Sequence, residues 1–361
     1  WLAGAFVLNA AGAPRQTGRV EDIPRLVEEK RWQQVVEAAQ AQREPAPDVD
    51  YFLGVSLAQL GRWDEARTAL LRGWHLRPGD ARFAVELGGV AFRQKRYATA
   101  AKWLRRGLRS NPTAPYTADF LATVYYLQGN LEAALKYWNR IAKPQIETVQ
   151  VQAGLRIDPV LLDHAFLFAP GDTLHLSDLL TTQARIRGLG VFPVSSIHLE
   201  ARDDGRFDAV ISAREKNGFG NGTLEALLST FRGVGFQTVY PEYFNAGQSA
   251  VNVTSLVRWD PRKRRLQSSI SGPARRDARR RYWAALDLRD ESWDLRSSSR
   301  EDSSSLGRFR LRRDAVAGGV SSFRNRGWSW SASGEVSHRR YSDAAPAARF
   351  PQEVLLDGYQ L

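Results

Sequence analysis

The chain has 361 residues, enough for two or three domains, and its 43% hydrophobic and 25% charged content is that of folded rather than disordered protein. It contains no cysteine, which excludes disulfides, thiolate nucleophiles and zinc sites with cysteine ligands. The net charge of +12 is unevenly distributed, since ten Arg or Lys residues lie between residues 258 and 281. One local basic surface therefore needs an explanation.

The chain begins with an apolar stretch, WLAGAFVLNAAGA, in which Ala11 and Ala13 form an A-x-A pattern. We interpret residues 1–13 as the remnant of a bacterial export signal; the alternative is the apolar first turn of a helical domain. No run of about 18 apolar residues follows, so the sequence predicts no transmembrane helix. A transmembrane barrel remains compatible with this, because its strands alternate between apolar and polar residues.

Residues 18–143 contain an internal repeat with a period of 34 residues. The motif Arg62-Trp63-x-x-Ala66 recurs as Arg96-Tyr97-x-x-Ala100 and as Asn130-Leu131-x-x-Ala134, and Leu53-Gly54 recurs as Leu87-Gly88. Small residues at these positions allow two helices to approach closely. The pattern resembles the tetratricopeptide repeat, which implies an α-solenoid of stacked helix pairs.

The resemblance also implies that the concave face of the stack binds peptides or proteins. The aromatic positions on this face could equally belong to the core, and a stack of three units can also serve as a spacer. Carried over by register, the inward-facing residues are Tyr51, Gln59, Arg82, Phe92, Arg93, Tyr116, Asp119 and Tyr126.

A different unit begins after Lys143-Pro144 and covers residues 145–216. Residues 146–157 alternate as in a half-buried strand. Asp158-Pro159 then favours the start of a short helix that continues through residue 168. A second helix follows, with Ser177 as its cap, and stops at two glycines, residues 188 and 190.

Two more alternating segments flank Asp204-Gly205, a dipeptide that favours a tight hairpin turn. The predicted order, strand-helix-helix-strand-strand, together with Gly171-Asp172, the LGVF sequence at 189–192 and Glu215, resembles a polypeptide-transport-associated (POTRA) domain. These small α+β domains occur in the barrel-assembly (bacterial surface antigen) and two-partner-secretion transporter superfamily. The resemblance implies a periplasmic location and an exposed sheet edge that accepts extended clients by strand addition.

Residues 217–361 predict antiparallel β-structure, and we expect no helix after Gly218. In the segment from Trp328 to Val336, apolar residues alternate with serines and Glu335. One apolar and one polar face is what a strand between lipid and a lumen requires. Following a POTRA-like unit, these roughly six to eight strands resemble the first part of a transmembrane outer-membrane barrel, incomplete in this chain. A soluble β-sandwich is the alternative.

The basic residues of this region are predicted to lie between strands. Residues 272–281 are typical of a connecting loop, which would face outward if the POTRA-like unit is periplasmic. Such a loop could pair with lipopolysaccharide phosphates; a solvated loop is the alternative. Nucleic-acid binding is not expected, because no aromatic stacking platform accompanies the cluster. The candidate residues for anionic lipid are Arg275, Arg276, Arg279, Arg280 and Arg281.

No motif indicates catalysis. The five histidines are not spaced as metal ligands, and no Gly-x-Ser-x-Gly or Walker motif occurs. We therefore expect no enzyme, metal or cofactor. The sequence predicts an outer-membrane protein that captures extended polypeptides and assists their insertion into, or translocation across, the outer membrane. Its partners would be such clients, outer-membrane lipid and other assembly or secretion components. Two alternatives are an exopolysaccharide export porin with tetratricopeptide repeats and a soluble protein-interaction scaffold.

Overall fold

The computed structural model describes residues 22–42, 44–220, 222–296, 305–323, 328–342 and 357–360. The interpretation of residues 1–13 as a signal-peptide remnant lies outside these residues. The chain divides into two compact units, Trp1–Lys143 and Pro144–Leu361. Each unit is described by itself.

The described part of the first unit consists of α-helices arranged as consecutive pairs. The helices α3, α5 and α7 begin at Pro47, Ala81 and Pro115, which reproduces the 34-residue period of the sequence. The predicted helical repeat is thus confirmed. The helices are α1 (Ile23–Glu28), α2 (Trp32–Gln40), α3 (Pro47–Gln59), α4 (Trp63–Leu76), α5 (Ala81–Arg93), α6 (Tyr97–Ser110), α7 (Pro115–Leu127) and α8 (Leu131–Trp138).

Glycine allows the two helices of a pair to touch. A Cβ atom on Gly88 would lie 2.8 Å from Cγ of Leu104, and one on Gly54 would collide with Leu70 in the same way one repeat earlier. Both leucines are fully buried. The recurring glycine is therefore required by the close approach of the helices and not by an unusual backbone conformation.

The second unit begins with a three-stranded sheet and two helices in the predicted order. Strand β1 pairs in parallel with β3, which pairs in antiparallel fashion with β2, so β3 is central. Leu179 and Ile186 on one helix and Ile197 and Leu199 on β2 are buried. The elements are β1 (Ile146–Val151), α9 (Pro159–Asp163), α10 (Leu176–Gly188), β2 (Val194–Ala201) and β3 (Phe207–Arg214).

Two of these elements are shorter than predicted. Strand β1 ends at Val151, because the chain turns at Gly154, whose φ is +91°. Helix α9 ends at Asp163. Ile157 and Phe168 are nevertheless buried. The apolar pattern therefore predicted burial correctly and backbone conformation incorrectly.

The rest of the second unit is an antiparallel sheet of eight strands. Its order is β11-β10-β9-β8-β7-β6-β4, with β5 also paired to β6. Antiparallel β-structure was predicted and is confirmed, but the described strands form an open sheet that is not closed into a barrel. The strands are β4 (Thr238–Val239), β5 (Glu242–Ala246), β6 (Val251–Asp260), β7 (Lys263–Ala274), β8 (Asp277–Arg296), β9 (Ser305–Phe323), β10 (Ser329–Ser342) and β11 (Gly358–Gln360).

A helix precedes this sheet, so the expectation of no helix after Gly218 is wrong. Helix α11 spans Thr223–Phe231, and none of its residues is buried. Leu224, Leu227, Leu228 and Phe231 recur at the 3.6-residue period. The signal was present, but a nine-residue segment among glycines is short for a helix.

The prediction of a loop over residues 272–281 is also wrong. Strand β7 continues to Ala274 and β8 begins at Asp277, so only Arg275 and Arg276 turn the chain, with φ of +56° and +58°. Positive φ at both positions is the geometry of a tight hairpin turn. The turn lies beside α9, since Arg276 Nη1 is 3.6 Å from Asp158 Oδ2. It is therefore at the end of the sheet next to the helix pair, not at the opposite end.

Candidate functional surfaces

Three of the predicted binding residues lie near one another on α3, α5 and α7, which are the first helices of three consecutive repeats. The guanidinium carbon of Arg82 on α5 lies 4.8 Å from the ring centre of Tyr51 on α3. Burial, followed by the negative charge of Glu86, raises the pKa of Tyr51 to about 12. The same two causes raise the pKa of Tyr116 on α7. Because such charge effects act at short range, we define Tyr51, Arg82, Glu86 and Tyr116 as the repeat surface.

Two carboxylates orient Arg82. Its Nη2 atom donates to Asp80 Oδ2 at 2.7 Å and to Asp48 Oδ1 at 2.8 Å. These hydrogen bonds lower the pKa of both carboxyls. Asp80 is also the N-cap of α5, since its side chain accepts a hydrogen bond from the main-chain N–H of Arg82. The arginine is thereby held over Tyr51 with its charge compensated.

Glu86 was not predicted from the sequence. Burial raises its pKa, and none of the described residues forms a hydrogen bond or ion pair with it. It lies four residues after Arg82 and therefore on the same helix face, a spacing from which it could have been found. A half-buried carboxylate near two tyrosines can accept a hydrogen bond from a main-chain N–H or a basic side chain.

The predicted surface residues Phe92 and Tyr126 take part in helix packing. The Phe92 ring lies 5.7 Å from that of Tyr97 and 5.2 Å from that of Phe120, measured between centres. The Tyr126 ring lies 5.6 Å from that of Trp138. Both side chains are half-buried. Their aromatic character reflects packing between helices.

The remaining predicted surface residues differ among themselves. Asp119 accepts hydrogen bonds from Trp138 Nε1 at 2.8 Å and from Lys143 Nζ at 2.9 Å, which ties α7 to the end of the repeats. Gln59 and Arg93 are exposed. The structure thus groups Tyr51, Arg82 and Tyr116 near Glu86, while Asp119 and Tyr126 both contact Trp138.

The two faces of the large sheet differ in chemistry. Residues paired across neighbouring strands share a face, and the register runs Val257 to Leu266 to Leu288, and Leu286 to Val316 to Val336. Val316 is 60% exposed and Val336 is 51% exposed. We call this the apolar face; its members include Val253, Val257, Leu266, Ile270, Leu286, Leu288, Val316, Val320 and Val336.

The opposite face, the polar face, contains ion pairs. Asp287 accepts hydrogen bonds from Arg265 Nε at 2.9 Å and from Arg289 Nη2 at 2.5 Å. Arg313 forms an ion pair with Glu335 on the neighbouring strand. Charged residues therefore alternate with exposed apolar ones along the same strands.

Aromatic residues lie at both ends of the apolar face. Trp259 is near the end of β6, and Tyr282 is near the start of β8, beside the two-residue turn. The register places both on the apolar face. Trp283 lies on the polar face, where it packs over Gly319. Trp259 and Tyr282 therefore lie at opposite ends of the apolar face, and Trp283 does not lie on it.

A buried polar cluster joins the small sheet to the large one. Asn252 Nδ2 at the start of β6 donates to the carbonyl of Leu189, just after α10, at 2.9 Å. Asn245 Nδ2 donates to Glu215 Oε1 at 2.8 Å and to Asn217 Oδ1 at 2.7 Å. Both asparagines are buried. Because the bond from Asn252 is buried and those from Asn245 are partly buried, they hold the small sheet in a defined orientation on the large one.

Strand β2 forms one edge of the small sheet, because β3 is its only neighbour among the described strands. The other edge, β1, is partly covered, since Ile146 exchanges hydrogen bonds with residues 171 and 172. In β3, Phe207 and Ile211 direct their main-chain groups toward the β1 side. The even-numbered residues of β3 therefore form the hydrogen bonds to β2, and their partners in β2 are also even-numbered. The odd-numbered residues Ser195 and Ile197 of β2 direct their main-chain N–H and C=O groups away from the sheet.

Other kinds of site were sought among the described residues. They contain no group of three or more His, Asp or Glu residues that could hold a metal ion. No described helix is both long and apolar enough to cross a membrane.

Comparisons with known proteins identify the repeats. The tetratricopeptide repeat family model matches residues 30–81 and 53–115. Among solved structures, MamA covers 33% of this chain and 72% of its own, at 16% identity and a TM-score of 0.32. YrrB, described as a TPR protein with an unusual peptide-binding site, covers 33% and 62% at 19% identity and a TM-score of 0.30. No curated protein matches. The family-model match supports tetratricopeptide repeats over residues 30–115.

Proposed function

We propose that this chain is an outer-membrane protein that captures extended polypeptides in the periplasm and assists their insertion into, or translocation across, the outer membrane. The observation that carries the proposal is the exposed apolar face, formed by residues such as Val316 and Val336. Soluble proteins rarely expose contiguous apolar patches larger than a few hundred Å². Lipid is the solvent that such a face requires.

Strand length supports a membrane location. Strands β6, β7 and β10 have 10, 12 and 14 residues, whereas a mean strand has about 5–6 residues. A strand that spans a bilayer needs about 9–11 residues. We propose that the sheet is part of a transmembrane barrel in which further strands pair with the β4 and β11 edges.

The connections between strands support an orientation. The turn at residues 275–276 lies at the helix-pair end, whereas at the opposite end β8 ends at Arg296 and β9 begins at Ser305, and β10 ends at Ser342 and β11 begins at Gly358. The opposite end also has one short turn, at residues 261–262. Outer-membrane barrels have short periplasmic turns and longer external loops. The helix-pair end, and with it the small sheet, would therefore face the periplasm.

The small sheet is proposed to act as a POTRA domain. Its β-α-α-β-β order and the position of β3 between the other strands are compatible with this assignment. The edge of β2 directs main-chain groups of Ser195 and Ile197 outward, and an extended client can add to such an edge as a further strand. Recognition of this kind depends on main-chain hydrogen bonds rather than on the side chains of the client.

The repeats are proposed to provide the first contact with clients. Stacked helical repeats present extended concave binding surfaces, and YrrB is a TPR protein with an unusual peptide-binding site. On the repeat surface, Glu86 offers a carboxylate beside Tyr51 and Tyr116, while Arg82 is held by Asp48 and Asp80. An extended peptide could satisfy its main-chain groups there.

The two alternatives fit less well. An exopolysaccharide export porin would join repeats to strands without a three-stranded sheet, yet residues 146–214 contain one. A soluble scaffold would need to cover the apolar face of the large sheet, and the described residues leave Val316 and Val336 exposed.

The membrane location can be tested by single-cysteine labelling, because the chain has no native cysteine. Val336→Cys lies on the apolar face and Ser333→Cys on the polar face of the same strand. Each variant is labelled with a polarity-sensitive fluorophore and added to vesicles whose acyl chains carry nitroxide. We expect quenching at position 336 and little at 333. Equal quenching, or none, would contradict a lipid-facing sheet.

Client capture can be tested at the β2 edge. Ser195→Pro removes an outward N–H, which proline tolerates at an edge, whereas Ser196→Pro removes an N–H that bonds β3. We expect Ser195→Pro to weaken binding of a labelled peptide with the sequence of residues 329–342 without loss of stability. Ser196→Pro should instead destabilise the small sheet. Unchanged peptide binding by Ser195→Pro would exclude strand addition at this edge.

A further inference from the structure

Beyond the apolar face, the same side of the sheet becomes basic toward the end opposite α9 and α10. The register pairs Arg264 with Asp290, Asp290 with Arg312, and Arg312 with Arg340 across β7 to β10. Toward the end of β8, Ser292 pairs with Arg310 and Asp294 pairs with Arg308 of β9. We define the arginine belt as Arg264, Arg308, Arg310, Arg312 and Arg340.

Only part of this charge is neutralised within the sheet. Arg310 forms two hydrogen bonds of 2.6 Å with Asp290, and Arg308 Nε lies 2.6 Å from Asp294 Oδ1. Arg312 reaches Asp314 only at 3.7 Å. Among the described residues, Arg264 and Arg340 have no ion-pair partner. The belt therefore carries excess positive charge on exposed side chains.

The position of the belt relates it to lipid. Along β7, Arg264 lies two residues beyond Leu266 of the apolar face, which corresponds to about 7 Å. Along β10, Arg340 lies four residues beyond Val336. An amphiphile whose acyl chains cover the apolar face would therefore place its headgroup beside these arginines.

We propose that the arginine belt binds the phosphate groups of anionic lipid headgroups whose acyl chains cover the apolar face. This inference rests on the membrane location proposed above. Guanidinium groups form paired, charge-assisted hydrogen bonds with phosphate oxygens. A soluble polyanion would meet the same charges, but it would gain nothing from the adjoining apolar face.

The arginines first predicted to bind anionic lipid provide a contrast. They lie at the other end of the sheet, where Arg276 is 3.6 Å from Asp158 and Arg279 is 2.9 Å from Asp277. Arg281 packs against Gly188, at the end of α10. The outer loop on which that prediction rested does not exist, because β7 runs to Ala274 and β8 begins at Asp277. They therefore serve as a charge-matched control.

The test compares two triple variants of the full chain that each lose three positive charges. One removes belt residues, Arg264→Gln, Arg312→Gln and Arg340→Gln; the control carries Arg275→Gln, Arg276→Gln and Arg280→Gln. Partition into neutral phosphatidylcholine vesicles and into vesicles that also contain phosphatidic acid is measured by flotation. We expect the belt variant to lose about tenfold or more of the preference for phosphatidic acid, and the control to retain it.

Several outcomes would overturn the inference. An equal loss in both triple variants would show general charge attraction, and no loss in the belt variant would exclude the site. Full competition by soluble inositol hexakisphosphate at equal phosphate concentration would assign the belt to a soluble anion. Far-UV circular dichroism verifies folding; if the triple variant does not fold, Arg264→Gln and Arg340→Gln are tested singly, because neither arginine has an ion-pair partner among the described residues.

The inference and the proposed function fail in different ways. If the wild-type chain inserts into neutral vesicles and position 336 is quenched, but phosphatidic acid gives no preference, only the lipid-phosphate site is excluded. If the chain does not associate with any vesicle and position 336 is not quenched, the membrane location itself is wrong. Replacing the three belt arginines by lysine should restore part of the preference, since the charge remains while paired hydrogen bonding is lost.

Discussion

The side-chain amide of Asn252 donates a hydrogen bond of 2.9 Å to the main-chain carbonyl of Leu189. The oxygen of the same amide accepts one from the main-chain N–H of Asn245 at 3.1 Å. Leu189 follows α10, which packs on the small sheet, and Asn252 is the second residue of β6 in the large sheet. One buried side chain thus joins the proposed client-binding sheet to the proposed membrane sheet.

Replacing this side chain should loosen the joint. Asn252→Leu would leave a buried N–H and a buried carbonyl without partners, at a cost of about 1–3 kcal/mol for each group. We expect faster hydrogen exchange at Asn245 and increased proteolysis between residues 190 and 250. The control is Thr254→Val, on the same face, where the exposed threonine hydroxyl bonds the hydroxyl of Ser269. Equal protection of Asn245 in both variants would show that the joint does not depend on Asn252.

Neighbouring glycines in α5 should respond in opposite ways to the same substitution. Gly88→Ala places a Cβ 2.8 Å from Leu104 Cγ, and we expect destabilisation of about 1–3 kcal/mol from overpacking. For Gly89→Ala the nearest atom is 3.9 Å away, so the higher helix propensity of alanine should stabilise by about 0.5–1 kcal/mol. Hydrogen exchange of α5 and α6 amides in the full chain measures both. Equal effects of the two substitutions would contradict close packing at Gly88.

Glu86 should destabilise the folded repeats at neutral pH. Burial raises its pKa above the ordinary value of 4.5, so the folded state prefers the protonated acid. The penalty is absent below pH 4.5 and fully present once the pH exceeds the folded-state pKa. Glu86→Gln should therefore be more stable than the wild type at about pH 7, and the difference should disappear as the solution is acidified.

Glu65 provides the opposite case on α4. A hydrogen bond from Arg62 lowers its pKa, so its charge favours folding above its ordinary pKa, and this contribution is lost on acidification. Glu65→Gln should not be more stable than the wild type at any pH. Denaturant unfolding of both variants, followed by helical circular dichroism, measures the difference. A pH-independent effect of Glu86→Gln would show that burial of its charge is not the cause.

The sequence predicted those features that depend on periodicity. The 34-residue repeat, the hairpin around Asp204-Gly205 and the alternation from Trp328 to Val336 each depend on local chemistry, and all are present in the structure. Helix α11 was missed because one apolar stripe over nine residues gives a weak signal. Strand β1 was predicted too long because Leu155 and Ile157 continue the alternation after the chain has turned.

Features that depend on register between distant segments could not be predicted. Arg275 and Arg276 form a two-residue turn because Ala274 pairs with Asp277 across β7 and β8, beside a register shift that no local pattern in this arginine-rich segment indicates. The arginine belt assembles from three strands, and Arg264 and Arg340 are far apart in sequence. Glu86 is part of the repeat surface only because α3, α5 and α7 lie side by side. Register is therefore the information that the structure adds.

Helix α11 should contribute to membrane association rather than to folding. Leu224 is 69% exposed and Leu228 is 66% exposed, so changing them to Gln should alter the unfolding free energy by no more than about 0.5 kcal/mol. If the helix lies against a bilayer, each change should weaken vesicle association by about 1.5–3 kcal/mol. Glu225→Gln is the control, since its pair with Arg214, at 3.5 Å, is exposed. Unchanged association of Leu224→Gln and Leu228→Gln with phosphatidylcholine vesicles would show that this apolar stripe does not face lipid.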